Sequence, residues 1–534
     1  MGYAALEDTP SVPTGQTAQD HRVALSGLSP MARAQRSAHG PRVRPMALIL
    51  AVLMEVALLS TPLAAHAEPD QVVVPSDNFV AVNGTAFTAG GRPLVMHGFN
   101  YYPRDYGWSA MTEWDWSEVD QELGLAASLG ANTIRTVVDY GFSTGHASED
   151  WTADSIKRQD HPTAAYLDAM DHLAAIASAH GLRVVFSLFD FMPGWAFIDG
   201  AQYQPAMTYV SDLVSHFEAD PRIAAWDILN EGDMLPVKFP NTSLATVLRF
   251  YGAMSRAIKA ADHHHLVTAD FGKIDQAHQS QDFVDYVSFH YYGDQARLSQ
   301  EISALRGRLM QPLPVVAGEV GAPSSGNPYA NLSSHTVALG GYLDDTLNAQ
   351  ALAGTLVWTL VDANPPKTAL TRQGHMEPMD YGVYDGQLNP RPSEEVVRHF
   401  FAGECGPDRR IELRFAGAQS APVPGDSRYL AVSVRQLSLL RSDGTTVSTL
   451  KFGTLDANAV EGRGWYSNES WGQWAGELDG MADLCMSVPA ETAVLSLGAA
   501  SRQPNTEVEV WIGGTLRGSV NLQPSAQDYV LALM

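Results

Sequence analysis

Two stretches place carboxylates where an otherwise apolar segment should leave the protein interior. Ile223 to Asp233 reads I-A-A-W-D-I-L-N-E-G-D, with Asn230 and Glu231 at the end of the apolar run and Gly232 to turn the chain. Such a run is the pattern of a parallel strand buried on both faces. Pro314 to Pro323 reads P-V-V-A-G-E-V-G-A-P and ends in a lone carboxylate, Glu319. Burying an ionisable group is costly unless it has partners or a task. An Asn-Glu pair also suits the start of a following helix, so the first stretch alone is ambiguous. Together, two carboxylates at two strand exits match the needs of glycosidic bond cleavage, where one attacks and the other moves a proton.

The elements that must position them alternate. Phe79 to Val95 carries Asn83-Gly84 and Gly90-Gly91 between alternating residues, which predicts a hairpin. A first strand then runs through Val95–Tyr102. Helix Glu118–Gly130 precedes strand Asn132–Asp139, and helix Ala164–His180 stops at Gly181 before strand Arg183–Asp190. Helix Met207–Phe217 precedes the Asn-Glu strand, and helix Leu244–Ala261 precedes Leu266–Phe271. Strand Tyr286–Tyr292, helix Ala296–Leu309, the Glu319 strand, helix Thr336–Ala349, strand Thr355–Asp362 and helix Glu394–Phe401 complete the set. Eight strands alternating with helices predict an α/β fold, a (β/α)8 TIM barrel. No glycine-rich phosphate loop follows the first strand, which disfavours an open doubly wound sheet.

Past about Gly403 the helical period disappears. Arg410–Phe415, Tyr429–Leu440, Ala493–Leu497 and Glu507–Ile512 read as short strands between Gly, Pro, Asp and Asn, predicting an all-β sandwich. The division expected is residues 1–67 as an N-terminal extension and signal peptide, 72–402 as barrel and 406–534 as sandwich.

In a TIM barrel the strand C-termini share one face. The residues expected there are Asn100, Tyr101 and Tyr102, then Arg135, Asp190, Asn230 with Glu231, Asp270, His290 with Tyr292, Glu319, and Trp358 with Asp362. The order Arg, Asn-Glu, His-x-Tyr, Glu, Trp resembles the clan A glycoside hydrolases, most nearly glycoside hydrolase family 5, which holds cellulases and mannanases. The resemblance covers about residues 75–402 and includes Asp385-Gly386 and Pro390-Arg391-Pro392 after the eighth strand.

That resemblance implies a retaining double displacement with Glu319 as nucleophile and Glu231 as acid and base. It needs the carboxyls about 5–5.5 Å apart and their pKa values pushed apart. Arg135 and Tyr292 would keep Glu319 ionised. Asn230 would hold the sugar 2-hydroxyl, His290 would orient or tune the site, and Trp358 would supply an apolar platform. Asn100 and Tyr102 complete the substrate-binding set. The plainer readings are a core ion pair for Arg135 and core packing for Trp358. Phe189-Asp190-Phe191 departs from the His many members carry at the third strand exit, which loosens the subfamily and the substrate.

Other features bound the reading. A formal charge of -25 argues against nucleic acid or an anionic membrane as partner and suits a neutral polysaccharide or oligosaccharide. Arg33, Arg36, Arg42 and Arg44, the apolar run Met46–Leu59 and Ala65-His66-Ala67 read as a secretory signal cut near Ala67, with Met31 as the expected start. About 14 residues interrupted by Glu55 are too short to span a membrane. A secreted, monomeric protein with no cofactor is the expectation. Cys405 and Cys485 suit one disulfide or two buried thiols. His263-His264-His265 suggests a metal site, but a solvated helix end at the barrel's lower face explains it better, so no metal is expected. Trp108, Trp114, Trp116, Trp195 and Tyr203 are placed on loops after strands as sugar subsites or packed aromatics. Trp465, Trp471 and Trp474 offer either a sugar platform or buried packing in the sandwich. Two competitors to the hydrolase reading share the same residues: a non-catalytic sugar-binding barrel, and a transglycosylase.

Overall fold

The computed structural model describes residues 78–145, 160–192, 203–239, 241–326, 330–365, 367–368, 380–406, 409–415, 428–476 and 480–533. The predicted signal segment, its cleavage site near Ala67 and Trp195 lie outside these residues. Residues Gln71–Met534 form one compact unit.

The chain enters through three short strands, β1 (Val80–Asn83), β2 (Ala86–Ala89) and β3 (Arg92–Leu94), paired antiparallel. Sequence reasoning expected one hairpin. The second glycine pair, Gly90-Gly91, turns the chain once more because both residues adopt positive φ. Val80 and Phe87 pack with Met96, Val185, Ala225 and Val316, which closes the lower end of the barrel.

The parallel strands follow in the predicted order. They are β4 (Met96–Asn100), β5 (Thr133–Asp139), β6 (Arg183–Asp190) and β7 (Ile223–Asp227), then β8 (Leu266–Thr268) with β9 (Asp270–Phe271). The set ends with β10 (Val287–Tyr291), β11 (Val315–Val320) and β12 (Gly354–Val357). Their lateral order is β8-β7-β6-β5-β4-β12-β11-β10-β9, all parallel. Since β8 and β9 are halves of one strand, the sheet is a nearly closed barrel. Strands β5, β6, β7 and β11 are buried almost throughout, as burial on both faces demands.

Helices pack outside with caps that explain their limits. Helix Leu244–Ala261 starts at Ser243, whose side chain accepts from Thr246 N. Helix Leu332–Leu343 starts four residues before the predicted Thr336, because Asn331 and Ser334 form a reciprocal capping box. Its predicted tail is instead a π-helical turn, Asp344–Ala349. The eighth strand stops at Val357, so Trp358 and Asp362 lie beyond it.

The all-β region holds two antiparallel sheets. One orders β17 (Met481–Leu484), β13 (Ile411–Arg414), β19 (Thr506–Ile512) and β20 (Thr515–Leu522). The other orders β15 (Thr446–Lys451), β14 (Val432–Leu440), β18 (Val494–Ser501) and β21 (Gln527–Ala532), with β16 (Gln473–Ala475) beside β14. Trp465 is fully buried in their common core and stacks on Phe452 at 4.7 Å. Cys405 and Cys485 form a disulfide across a sequence separation of 80 residues. It links the end of the last barrel helix to the sandwich. No helix among the described residues is long and apolar enough to cross a membrane.

Candidate active site

The strand exits converge on Arg135, the third residue of β5, in register with Asn100 on β4. Its guanidinium is buried and surrounded by acceptors. Nη1 donates to Asn100 Oδ1 at 2.8 Å and to Glu319 Oε1 at 3.0 Å. Nη2 donates to Asp227 Oδ2 and Asn230 Oδ1, both at 2.8 Å. Nε lies 2.6 Å from Asp270 Oδ2. This fork ties five strands together at one charge. Asn100 Nδ2 donates to Gly318 O at 2.8 Å, which anchors the residue before Glu319. Gly318 must lack a side chain: a Cβ there would come within 2.6 Å of Ser288 Oγ and 2.9 Å of Asp270 Oδ1.

Around Glu319 the donors are complete. Tyr292 OH donates to its Oε2, and His290 Nδ1 stands 3.3 Å from the same oxygen. His290 Nδ1 is also 3.0 Å from Glu231 Oε1, and its Nε2 is 3.5 Å from Asp270 Oδ2. Register places His290 beside Glu319 on adjacent strands. The imidazole therefore sits between both carboxylates. Glu231 follows β7 with φ 48 and ψ 43, a left-handed conformation rare for a non-glycine residue. The Glu231 side chain keeps 28% exposure against 6% for Glu319, so Glu231 reaches toward the cleft from a half-buried position.

Electrostatics set the proton distribution. Burial works against a charge on His290. Glu319 and Asp270 outweigh it, and the imidazole is pushed up to about 10. Burial likewise works against the charge on Glu231, but the His290 hydrogen bond and charge bring it down to about 2. Glu319 is pushed up, because burial outweighs the help of His290, Arg135 and Tyr292. The two carboxyls are pushed apart as the sequence reading required, but in the opposite sense. The reason is that the proton of the Glu231–His290 pair rests on the imidazole. Burial also raises Asp190 to about 7, Asp227 to about 6 and Asp233 to about 6.

Ligand atoms of Glu231, His290 and Glu319 lie within 4.8 Å of one another. Three such groups could hold a metal by spacing. A metal there would have to displace the proton that the neighbouring carboxylates favour on His290, and share Glu319 with the Arg135 guanidinium 3.0 Å away. The donor set suits two carboxylates sharing a cation.

Aromatic rings form one wall. Trp358 meets Tyr102 at 6.0 Å, Tyr102 meets Trp108 at 6.3 Å, and Trp108 meets Phe191 at 5.7 Å. Tyr102, Trp108, Trp358 and Val361 line a small recess there. Trp114 is buried against Tyr101, and Trp116 packs on it at 6.2 Å, so neither lines the site. Tyr203 opens a helix and packs on Phe250, instead of lying on a loop. Asp362 is engaged by Arg391 Nη1 at 3.0 Å and belongs to the structure behind the recess.

The site residues named from sequence, Asn100, Tyr102, Arg135, Asn230, Glu231, His290, Tyr292, Glu319 and Trp358, gather at this mouth. Sequence reasoning missed Asp227 and Asp233. A carboxylate inside the apolar run I-A-A-W-D was the available signal, since burial there demands a partner. The three histidines at 263–265 diverge. His265 is buried, with Nδ1 2.6 Å from Asp262 Oδ2 and Nε2 2.8 Å from Asp220 O, while His264 stacks on Phe79 at 4.6 Å. The solvated helix end expected there is thus corrected for His265. Desolvation is repaid by two hydrogen bonds.

No family model matches the chain. Among curated proteins it is 26% identical over 222 residues to putative mannan endo-1,4-beta-mannosidase 9 of Oryza sativa subsp. japonica, covering 36% of this chain and 51% of that protein. It is 25% identical over 224 residues to mannan endo-1,4-beta-mannosidase 2 of Arabidopsis thaliana, covering 36% and 48%. Probable mannan endo-1,4-beta-mannosidase C of Aspergillus terreus is 25% identical over 253 residues, covering 40% and 59%. The chain spans about half the length of the curated relatives it matches. Among solved structures, an exo-beta-1,4-mannosidase from an Opitutaceae bacterium shares 19% identity at TM-score 0.48, covering 62% of each chain. GH5_18 from Streptomyces cattleya in complex with GlcNAc shares 16% identity at TM-score 0.48, covering 58% and 80%. Over part of its length, then, this chain is similar to the mannan endo-1,4-beta-mannosidases, in keeping with its resemblance to glycoside hydrolase family 5, and an all-β region follows its barrel.

Proposed function

We propose that this protein is a secreted retaining β-glycoside hydrolase that cleaves a β-linked mannan or glucan. The observation that carries the reading is the pair Glu231 and Glu319, with oxygens within 4.8 Å around His290. Nearest oxygens this close support a retaining pair over an inverting one, whose carboxyls stand about 6.5–9.5 Å apart. Similarity to mannan endo-1,4-beta-mannosidases supports mannan over glucan. The Cys405–Cys485 disulfide supports an oxidising destination.

In this reading Glu319 attacks the anomeric carbon while the bond to the leaving oxygen breaks. Glu231 delivers a proton to that oxygen, and a glycosyl ester forms on Glu319. Water then attacks the same carbon, Glu231 takes the water's proton, and the ester bond returns its electron pair to Glu319. His290 stores the proton that Glu231 needs, 3.0 Å away. Formation of the ester removes the charge on Glu319, the leading cause of the raised imidazole pKa. Arg135 and Tyr292 stabilise Glu319 as it departs in the second step. Asn230 turns its Oδ1 to Arg135, leaving its amide N–H groups for the 2-hydroxyl. Trp358 and Tyr102 line the ring's apolar side.

Hydrolysis of β-mannan, β-glucan and aryl β-glycosides by the protein, Glu319→Ala and Glu231→Ala tests this. The expected result is turnover of one polymer by the wild type and a loss of about 10⁴-fold or more in each variant. Azide should restore Glu319→Ala as a glycosyl azide of inverted configuration. Activity persisting in both variants would sink the mechanism.

A further inference from the structure

Asp190 ends β6, and the mechanism above leaves it without a task. Around the barrel β6 is the third strand and β11, which carries Glu319, is the seventh. The two carboxylates therefore stand on opposite sides of the mouth. Asp190 is buried, with 7% exposure, and feels the charge of Arg135. Arg135 is the obvious candidate to neutralise it, yet its N–H groups already face Asn100, Glu319, Asp227, Asn230 and Asp270. Four of its five N–H groups are taken by hydrogen bonds, and the fifth, on Nε, is held in the ion pair with Asp270. Asp190 Oδ2 is left buried with no hydrogen-bond partner in the protein. A carboxylate oxygen in that state is costly, and it persists where a ligand supplies the donor.

Its surroundings suit a sugar ring. Phe191, the next residue, is held at φ 60, an uncommon conformation for an aromatic residue. That conformation accompanies a ring contact with Trp108 at 5.7 Å, at the far end of the row that begins at Trp358. Strained backbone beside a buried acid with one unpartnered oxygen is a functional-site pattern. Burial and then the charge of Asp227 raise Asp190 to about 7, so near neutrality it can donate as well as accept.

We propose that Asp190 determines glycone specificity, its carboxyl bonding the C3–C4 hydroxyl edge of the sugar whose C1 meets Glu319, with Trp108 and Phe191 closing that end. The placement follows from ring geometry. C1 and C4 are opposite corners of a pyranose, Glu319 takes C1, and Asn230 on the exit of β7 takes the 2-hydroxyl. The next strand round is β6. This inference rests on the glycosidase reading.

The test compares wild type, Asp190→Ala and Asp190→Asn on the aryl β-glycoside the wild type cleaves best and on its 3-deoxy and 4-deoxy analogues. Wild type should lose about 10- to 100-fold in kcat/KM when the bonded hydroxyl is removed, the worth of a hydrogen bond to a charged group. Asp190→Ala should lose a similar factor on the parent and almost nothing further on that analogue. Asp190→Asn, which keeps the shape and one acceptor, should fall between, and it replaces the alanine variant if the latter does not fold. An equal loss on the parent and both analogues overturns the proposal and assigns Asp190 a packing role, with the glycosidase reading intact. If the wild type cleaves no β-glycoside or β-glycan, the glycosidase reading fails and this proposal falls with it.

Discussion

Among the described residues, the buried charge clusters at the barrel mouth and at its junction with the sandwich use nearly the same residue types for different ends. At the barrel mouth Arg135 and His290 face Asp227, Asp270, Glu231 and Glu319. Where the barrel meets the sandwich, Arg410 and Arg463 face Asp344, Asp345, Glu412 and Asp483. Arg463 Nε is 2.9 Å from Asp483 Oδ2, and Arg410 Nε is 2.9 Å from Glu412 Oε1. Burial and the charge of Asp344 push Asp483 up to about 8. Burial and perturbed protonation are thus common to both clusters. What separates them is geometry: the mouth cluster has an exposed edge at Glu231, a strained backbone there, and an aromatic wall. The interface cluster is buried: Asp344, Asp345, Glu412, Arg463 and Asp483 are each at most 5% exposed, and the Arg463 backbone N–H donates to Asp344 Oδ2 at 3.3 Å. A perturbed acid marks a function only when a substrate can reach it.

Breaking each cluster at its arginine draws the comparison most sharply. Arg135→Met should lower kcat by about 10³-fold or more and destabilise by about 3–5 kcal/mol, because it leaves buried carboxylates uncompensated. Arg463→Met should cost a comparable 3–5 kcal/mol yet leave kcat of the folded protein within about twofold. Denaturant midpoints and kcat on the same preparations give the answer, and a matching loss of kcat in Arg463→Met would erase the distinction.

A smaller effect concerns His290. Its raised pKa contributes stability that is full below about 6.5 and is lost as pH rises through about 10. The lowered Glu231 contributes stability present above about 4.5 and lost as pH falls through about 2. His290→Asn removes the cation that most favours ionised Glu319. The acid limb of kcat/KM should move up by about one unit and kcat should fall about 10²-fold. A pH–rate profile with an unmoved acid limb would assign His290 to packing alone.

The mildest perturbation should spare chemistry altogether. Replacing Cys405 and Cys485 with Ser opens a loop of 80 residues and should cost about 2–5 kcal/mol of stability. Thermal unfolding should show the drop while kcat below the transition stays unchanged. A lower kcat in the fully folded variant would show that the sandwich braces the mouth.

Much of this was legible in the chain itself. The barrel strands are apolar runs because both faces are covered, and that pattern survives without any partner being known. Candidate site residues were legible for a related reason: Glu231, His290 and Glu319 are expensive to bury and stand near the ends of apolar runs, and Arg135 is a charge set inside a buried strand. Strands β15, β20 and β21 were missed because they are largely exposed and polar, and only pairing with β14, β19 and β18 makes them strands. Asp227 was hidden within its strand, where only the position of Arg135 gives it meaning.

The sequence by itself determined the alternation of strands and helices, the two carboxylates at their exits and the all-β region after them, since periodicity and desolvation act locally. Only the tertiary structure decided that the Glu231 proton rests on His290, that Arg135 has no donor left for Asp190, and that the interface acids are sealed. Those outcomes depend on distances of about 3 Å between residues far apart in the chain, and no local pattern encodes such distances.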